Sequence, residues 1–130
     1  MTAYLLDTHA LIWWMSANPR LPAKAAVTIA APNSTIYASA ANAFEIALRY
    51  RLGKLPIAAP ILDNYEVDLA SVGISELPIS TRHALAAGDL SIDHGDPFDR
   101  LLIAQAKVED LTLISNEQIF DRFGVKRLWD

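Results

Sequence analysis

The chain has no cysteine, which excludes disulfide bonds, zinc–thiolate sites and cysteine nucleophiles. This is compatible with a reducing cytoplasm, where we expect the protein to act. No hydrophobic run approaches the roughly 18 residues of a transmembrane helix, although 52% of the residues are hydrophobic. The first residues show neither a basic stretch nor a cleavage site, so no secretory signal is expected. We expect residues 1–130 to form a single domain without membrane contact.

Basic residues are also few: eleven Lys and Arg stand against fifteen Asp and Glu, and the net charge is −4. This balance argues against a protein that holds nucleic acid by a broad basic surface. Arg49, Arg51 and Lys54 form one short basic group, which either contacts phosphates or complements the dipole at a helix end. Paired histidines, a Gly-rich phosphate loop and a serine nucleophile elbow are all missing, which argues against zinc, P-loop and serine-hydrolase chemistry.

Short apolar segments typical of buried strands alternate with helical patterns. We predict strands at residues 4–6, 35–39, 76–79, 111–115 and 125–128, and helices at residues 9–17, 22–31, 40–52, 59–71, 81–87 and 97–108. Strands that alternate with helices pair in parallel through helical crossovers. The expected fold is therefore α/β, a three-layer sandwich whose central parallel sheet has four to five strands.

The chain does contain acids at places where an apolar segment ends or a helix begins. They are Asp7, Glu45, Asp96, Asp99 and Glu117. Because open α/β sheets hold their ligands at the carboxyl ends of the strands, acids far apart in the chain can meet there. Gathered carboxylates repel one another unless a cation lies between them, and oxygen ligands without sulfur select hard divalent ions. We therefore expect a Mg²⁺ or Mn²⁺ centre that supports phosphoryl transfer to water.

Helix capping is an alternative explanation for three of these acids. Asp7 suits the N-cap of the first helix, and since a helix N-terminus also accommodates phosphate, the two roles are compatible. The hydroxyl of Thr8 is placed to bond to a ligand or to a neighbouring carboxylate. Asp96, Pro97 and an acid at position 99 form a common helix start. Asp96 and Asp99 are three residues apart, so both side chains can face one point beyond the helix end. We therefore still favour a functional role for Asp99.

The other two acids have different alternatives. Glu45 lies in a helix with little room for a solvated face, which favours a functional role over a surface ion pair with Arg49. Glu117 lies just past the fourth predicted strand, and in isolation it is better explained as an acid in a first turn capped by Ser115. His94, in the loop at residues 91–95, would bring an imidazole to the same place.

Several of these motifs resemble a known family. The matching stretches are residues 5–11, 39–48, 53–55, 77–79, 83–84 and 94–106. They resemble PIN-domain proteins of the VapC toxin type, nearly from end to end, and the most specific stretch is HGDPFDRLLIAQA at residues 94–106. The resemblance implies a PIN-like fold and a Mg²⁺- or Mn²⁺-dependent endoribonuclease. Such an enzyme would be the toxin of a type II toxin–antitoxin pair and would cleave tRNA or rRNA.

The resemblance also assigns roles to individual acids. The family's catalytic acids fall on Asp7, Glu45 and Asp99, with Asp96 as an additional acid beside them. We expect Asp7 and Asp99 to hold one metal ion, and the other acids to complete its shell or to support a second ion. Glu45 or Asp96 would orient the attacking water.

The chain departs from the family pattern at three positions. Glu117, in Ser115-Asn116-Glu117, stands where the family usually has Asp in Thr-x-Asp, so its part in metal binding is open. Phe44 replaces a common Trp, which we expect to be a packing change, and Asn42 replaces a common Ser. Thr8 and Ser115 are expected to support the metal ligands by hydrogen bonds.

The resemblance implies three partners: an RNA substrate, a VapB-type antitoxin that inserts a side chain among the acids, and a second copy of the chain. The apolar helices at residues 9–17 and 40–52 are candidates for these protein contacts, although core packing is the commoner fate of such residues. Two other functions stay open. One is a catalytically weak PIN-fold binding module, and the other is a receiver-like signalling domain, which normally needs adjacent acids where this chain has only Asp7.

Overall fold

The central sheet is parallel throughout. The computed structural model describes residues 2–91 and 93–130, and within them it contains the strands β1 (Ala3–Leu6), β2 (Thr35–Ser39), β3 (Ile74–Leu77), β4 (Thr112–Ile114) and β5 (Arg127–Leu128). Their order across the sheet is β3-β2-β1-β4-β5, and every neighbouring pair is parallel. The α/β prediction is confirmed. Receiver domains have the order 2-1-3-4-5, so the receiver-like alternative is wrong.

Helices carry the chain from one strand to the next. The described residues form α1 (Thr8–Met15), α2 (Ala23–Ala30), α3 (Ala40–Arg51), α4 (Ala59–Asp63), α5 (Tyr65–Ser71), α6 (Thr81–Gly88) and α7 (Pro97–Val108). Short 3₁₀ segments cover Pro56–Ala58 and Gln118–Phe123. Among the described helices, none has the length and apolar character needed to cross a bilayer.

The third strand differs from its predicted position at residues 76–79. Gly73 adopts a φ of +78°, a left-handed conformation that glycine accepts readily, and the strand begins directly after it at Ile74. Ile74 is buried and continues the core, although the polar residues that follow it weaken the apolar pattern. The strand ends at Leu77 because Pro78 has no amide hydrogen for the ladder.

The helix predicted at residues 59–71 is interrupted at Asn64. This residue has φ −137° and ψ 45°, which is not helical, and it separates α4 from α5. Pro60 lies in the first turn of α4, where a missing amide hydrogen costs no helical bond. The other helices begin and end within two residues of their predicted bounds.

Both faces of the sheet are covered. Successive residues of a strand point to opposite faces, and Leu5 and Leu6 are both fully buried. Leu5 belongs to a cluster with Ile103 of α7, whereas Leu6 belongs to a second cluster with Leu11 of α1. The sheet therefore separates two apolar layers, as a three-layer sandwich requires.

Candidate active site

The sheet brings the ends of β1 and β4 together. Leu6 pairs with Ile114, and the amide of Asp7 donates to the Ile114 carbonyl at 3.1 Å. The side chains just past these strands therefore share one edge. A cleft of about 90 Å³ lies there, lined by Asp7, Thr8, His9, Glu45, Arg49, Asp96, Asp99 and Glu117. All five acids singled out from the sequence are among them.

Asp7 is both a helix cap and a cleft residue. Its Oδ1 accepts a hydrogen bond from the amide of Ala10 at 2.7 Å, and its side chain is 4% exposed. Burial raises the pKa of Asp7 to about 6, because water no longer solvates the charged form. Hydrogen bonds from Ser115 and Ala10 oppose this rise, and the charge of Glu117 adds to it.

Glu45 is held by a chain of buried hydrogen bonds. Thr8 Oγ1 donates to Glu45 Oε1 at 2.5 Å, and Asn42 Nδ2 donates to Thr8 Oγ1 at 3.1 Å. The other end of the Asn42 amide accepts from the Ser39 amide at 2.7 Å. Glu45 Oε2 lies 3.4 Å from Arg49 Nε, so the ion pair considered above is also present. Glu45 is nevertheless only 8% exposed and is not a surface residue.

Asp96 and Asp99 lie at the start of α7. Asp96 is the N-cap, and its Oδ1 accepts from the amides of Phe98 and Asp99 at 2.9 and 3.1 Å. Asp99 Oδ2 lies 2.9 Å from Nε2 of His94, so the imidazole does approach the acids. Burial raises the pKa of Asp99 to about 6, while the bond to His94 lowers it and the charges of Asp96 and Glu117 raise it.

The loop before α7 is held by one guanidinium. Arg100 donates from Nε to the Ala87 carbonyl at 3.0 Å, from Nη1 to the His94 carbonyl at 3.1 Å, and from Nη2 to the Gly88 and Leu90 carbonyls at 3.2 and 3.0 Å. Because this loop carries His94, Arg100 also fixes the backbone from which the imidazole reaches the acidic cleft.

Glu117 begins the second 3₁₀ segment as its N-cap residue. The expectation that Ser115 would be the N-cap is therefore wrong, but Ser115 Oγ does accept from the Glu117 amide at 3.0 Å. The Ser115 side chain also lowers the pKa of Asp7. The charge of Glu117 raises the pKa of both Asp7 and Asp99, and all three residues line the same cleft.

Five of the eight residues that line the cleft are acids, and carboxylates are the ligands that Mg²⁺ and Mn²⁺ prefer; the other three are Thr8, His9 and Arg49. Across residues 2–91 and 93–130, no three Asp, Glu or His side chains are already close enough to form a metal-binding group. The charges still interact, because Glu117 perturbs both Asp7 and Asp99. The donor chemistry thus fits a hard cation, which would have to draw the carboxylates inward.

Two contributors were not assigned from the sequence. Asn42 lies three residues after Ser39 in a reciprocal capping arrangement, and that spacing is a sequence signal for it. Arg100 directly follows Asp99, but its bonds to four carbonyls depend on a loop whose path the sequence does not specify.

Comparison with known sequences agrees with the fold. The PIN domain family model matches residues 4–126. Ribonuclease VapC22 of Mycobacterium tuberculosis is 30% identical over 121 residues, which cover 91% of this chain and 89% of that protein. The chain therefore belongs to the PIN-domain family, and the resemblance to its VapC type is confirmed.

Solved structures show the same fold at low sequence identity. The crystal structure of VapBC2 from Rickettsia felis, bound to a DNA fragment from their promoter, matches with a TM-score of 0.69 at 19% identity, over 99% of this chain and 100% of that one. FitAcB from Neisseria gonorrhoeae matches with a TM-score of 0.60 at 18% identity, over 96% of each chain. The predicted PIN-like fold is confirmed.

Proposed function

We propose that this protein is a metal-dependent endoribonuclease that acts as the toxin of a type II toxin–antitoxin pair. The observation that carries the proposal is the meeting of five carboxylates in one cleft of a PIN-domain chain. The relative named ribonuclease VapC22 supports RNA as the substrate. We further propose that the RNA is tRNA or rRNA, that its cleavage arrests translation, and that the protein acts in the cytoplasm.

In this proposal Asp7 and Asp99 bind the Mg²⁺ or Mn²⁺ ion. The remaining acids complete its coordination shell, directly or through water; they are Glu45, Asp96 and Glu117. The bound ion would act as a Lewis acid toward the phosphate and would lower the pKa of a bound water. The raised pKa values of Asp7 and Asp99 support this assignment, because carboxylates that are costly to ionise alone are stabilised by a nearby cation.

Asp96 is the better placed of the two acids that were expected to orient the attacking water. Both oxygens of Glu45 are engaged, one by Thr8 and one by Arg49. The Oδ1 of Asp96 caps α7, and among the described residues its Oδ2 has no hydrogen-bond partner. Asp96 is also exposed, so its free oxygen can accept a hydrogen from a water molecule in the cleft.

Three neighbouring side chains contact the acids. Thr8 donates to Glu45, His94 Nε2 lies 2.9 Å from Asp99 Oδ2, and the Ser115 side chain lowers the pKa of Asp7. Such partners orient metal ligands and govern how readily these bind an ion.

The proposed protein partners are a VapB-type antitoxin and a second copy of the chain. The structures of VapBC2 and FitAcB support an antitoxin partner by analogy. Of the two helices considered for these contacts, α1 is largely in the core, where Trp13 packs on Trp129 with ring centroids 5.9 Å apart. Helix α3 instead exposes Phe44 and Leu48, and Leu52 directly after the helix is also exposed, so we propose that the partner surface lies there.

The test is expression of the chain with and without the adjacent open reading frame, followed by sequencing of RNA ends. We expect growth arrest and sharp cuts in one tRNA or rRNA loop when the chain is expressed alone. Asp7→Asn should produce neither, while keeping the fold. Identical RNA ends from the parent and the Asp7→Asn protein would refute the ribonuclease proposal.

A non-catalytic PIN-fold binding module is the second candidate. It is favoured by the finding that, within the described residues, no three acids already form a metal-binding group. The same experiment separates the two, because a binding module would associate with its partner and leave RNA ends unchanged.

A further inference from the structure

One cation faces the acids. In the part of the chain that the structure describes, Arg49 is the one Lys or Arg side chain that lines the cleft. Its Nε lies 3.4 Å from Oε2 of Glu45, and its side chain is 43% exposed. The described residues provide no partner for its two Nη groups. A guanidinium has five N–H donors, so most of its donors stay available.

Glu45 is a fixed support for this guanidinium. Its other oxygen accepts the hydroxyl of Thr8 at 2.5 Å, and Asn42 in turn holds Thr8. Because these three residues are buried, Glu45 cannot swing into solvent to follow Arg49. The ion pair therefore holds Arg49 at the cleft wall, and its other N–H groups remain available to a ligand.

An acidic cleft attracts a polyanion poorly. A cation beside the carboxylates supplies the positive charge that phosphate binding needs. The planar fork of arginine matches two phosphate oxygens at once. We infer that Arg49 binds a backbone phosphate of the RNA next to the acids. This inference rests on the proposed function. The alternative is that Arg49 only neutralises Glu45. The two roles differ in the salt dependence of RNA binding, to which only a phosphate contact would contribute.

The experiment measures binding, not cleavage. A fluorescein-labelled single-stranded RNA of mixed sequence is titrated with the Asp7→Asn protein in magnesium buffer at several KCl concentrations, and anisotropy is recorded. Into this background we introduce Arg49→Gln, Arg49→Lys or Arg51→Gln. Arg51 is the matched control, because it is exposed on the same helix and does not line the cleft.

Arg49→Gln should weaken RNA binding about tenfold or more. It should also reduce the slope of log affinity against log salt by about 0.7, the contribution of one single-strand phosphate contact. Compared with Arg49→Gln, Arg49→Lys should restore the salt slope and only part of the affinity. An ammonium keeps the positive charge but lacks the planar pair of N–H donors of a guanidinium. Arg51→Gln should change neither quantity. Thermal melting should show all variants folded, since both side chains are exposed.

Equal slopes for Arg49→Gln and Arg51→Gln would overturn the inference while leaving the ribonuclease proposal intact. If the parent chain neither binds this RNA nor cuts cellular RNA, the proposed function and the inference both fail.

Discussion

The hydroxyl of Thr8 donates a 2.5 Å hydrogen bond to Oε1 of Glu45, a residue 37 positions later in the chain. One partner is the first residue of α1 and the other lies in the middle of α3, so this single contact ties two helices together at the cleft. Both residues are buried, and a carboxylate without its donor would have few alternatives there.

Thr8→Val should destabilise the fold. Valine has nearly the shape of threonine but no donor, so the buried oxygen of Glu45 loses its partner and the free energy of unfolding should fall by about 1–3 kcal/mol. Urea denaturation measures the change. Thr8→Ser keeps the hydroxyl and should lie closer to the parent. Equal stability of Thr8→Val and the parent chain would show that this bond contributes nothing.

The metal-free protein should lose stability as pH rises. Burial raises the pKa of Asp7 from 3.8 to about 6, so the folded state binds this proton more tightly than the unfolded chain does. The free energy of unfolding should therefore fall between about pH 4 and pH 6 and then level off, by about 3 kcal/mol for this group. Asp99 shifts in the same direction and adds to the fall.

Asp7→Asn provides the control for this pH dependence. Asparagine still caps α1, but it carries no charge. In EDTA the variant should be more stable than the parent at pH 7, by up to about 3 kcal/mol, and equally stable at about pH 4. Urea denaturation at both pH values is the measurement. Curves that stay parallel would contradict the assigned pKa.

His94→Ala should impair the reaction without unfolding the protein. His94 Nε2 lies 2.9 Å from Asp99 Oδ2, and its side chain is one-quarter exposed, so removing it mainly frees the carboxylate. Loss of such a supporting partner typically costs about 10–100-fold in metal affinity or activity. RNA cleavage rates measured against metal concentration test this. Ser91→Ala, in the same loop, should behave like the parent.

Leu52→Glu should prevent antitoxin binding and leave stability unchanged within about 0.5 kcal/mol. Leu52 is 58% exposed beside Leu48, at the end of the apolar face of α3. Co-purification with the product of the adjacent reading frame is the measurement. Leu85→Glu is the matched control, because Leu85 is 70% exposed on α6 and should leave binding intact. If both variants retain the antitoxin, the partner surface lies elsewhere.

Much of the fold could be predicted because its strongest signals are local. The segments around β1, β2 and β4 are short, apolar and bounded by polar residues, which is typical of buried parallel strands. The segment containing β3 has two exposed polar residues, Ser75 and Glu76, so its apolar pattern was too weak to show where it begins. The break at Asn64 was missed for a similar reason, since a single residue with non-helical angles leaves the apolar period intact.

The position of the site could be predicted, but its internal bonding could not. Asp7 and Asp96 follow segment boundaries that are visible in the sequence, and the sheet then brings them together. The contact of Asn42 with Thr8 spans 34 positions and depends on how α3 packs. The sequence explanations of Asp7 as a cap and of Glu45 as an ion-pair partner both hold, alongside their places in the cleft.

The most direct test of the central claim is a crystal of this protein soaked in manganese and measured for anomalous scattering. We expect a peak between the carboxylates of Asp7 and Asp99, with both side chains turned toward it, and no such peak in Asp99→Asn. Ordered Asp7 and Asp99 side chains that point apart, with no anomalous density between them, would contradict it.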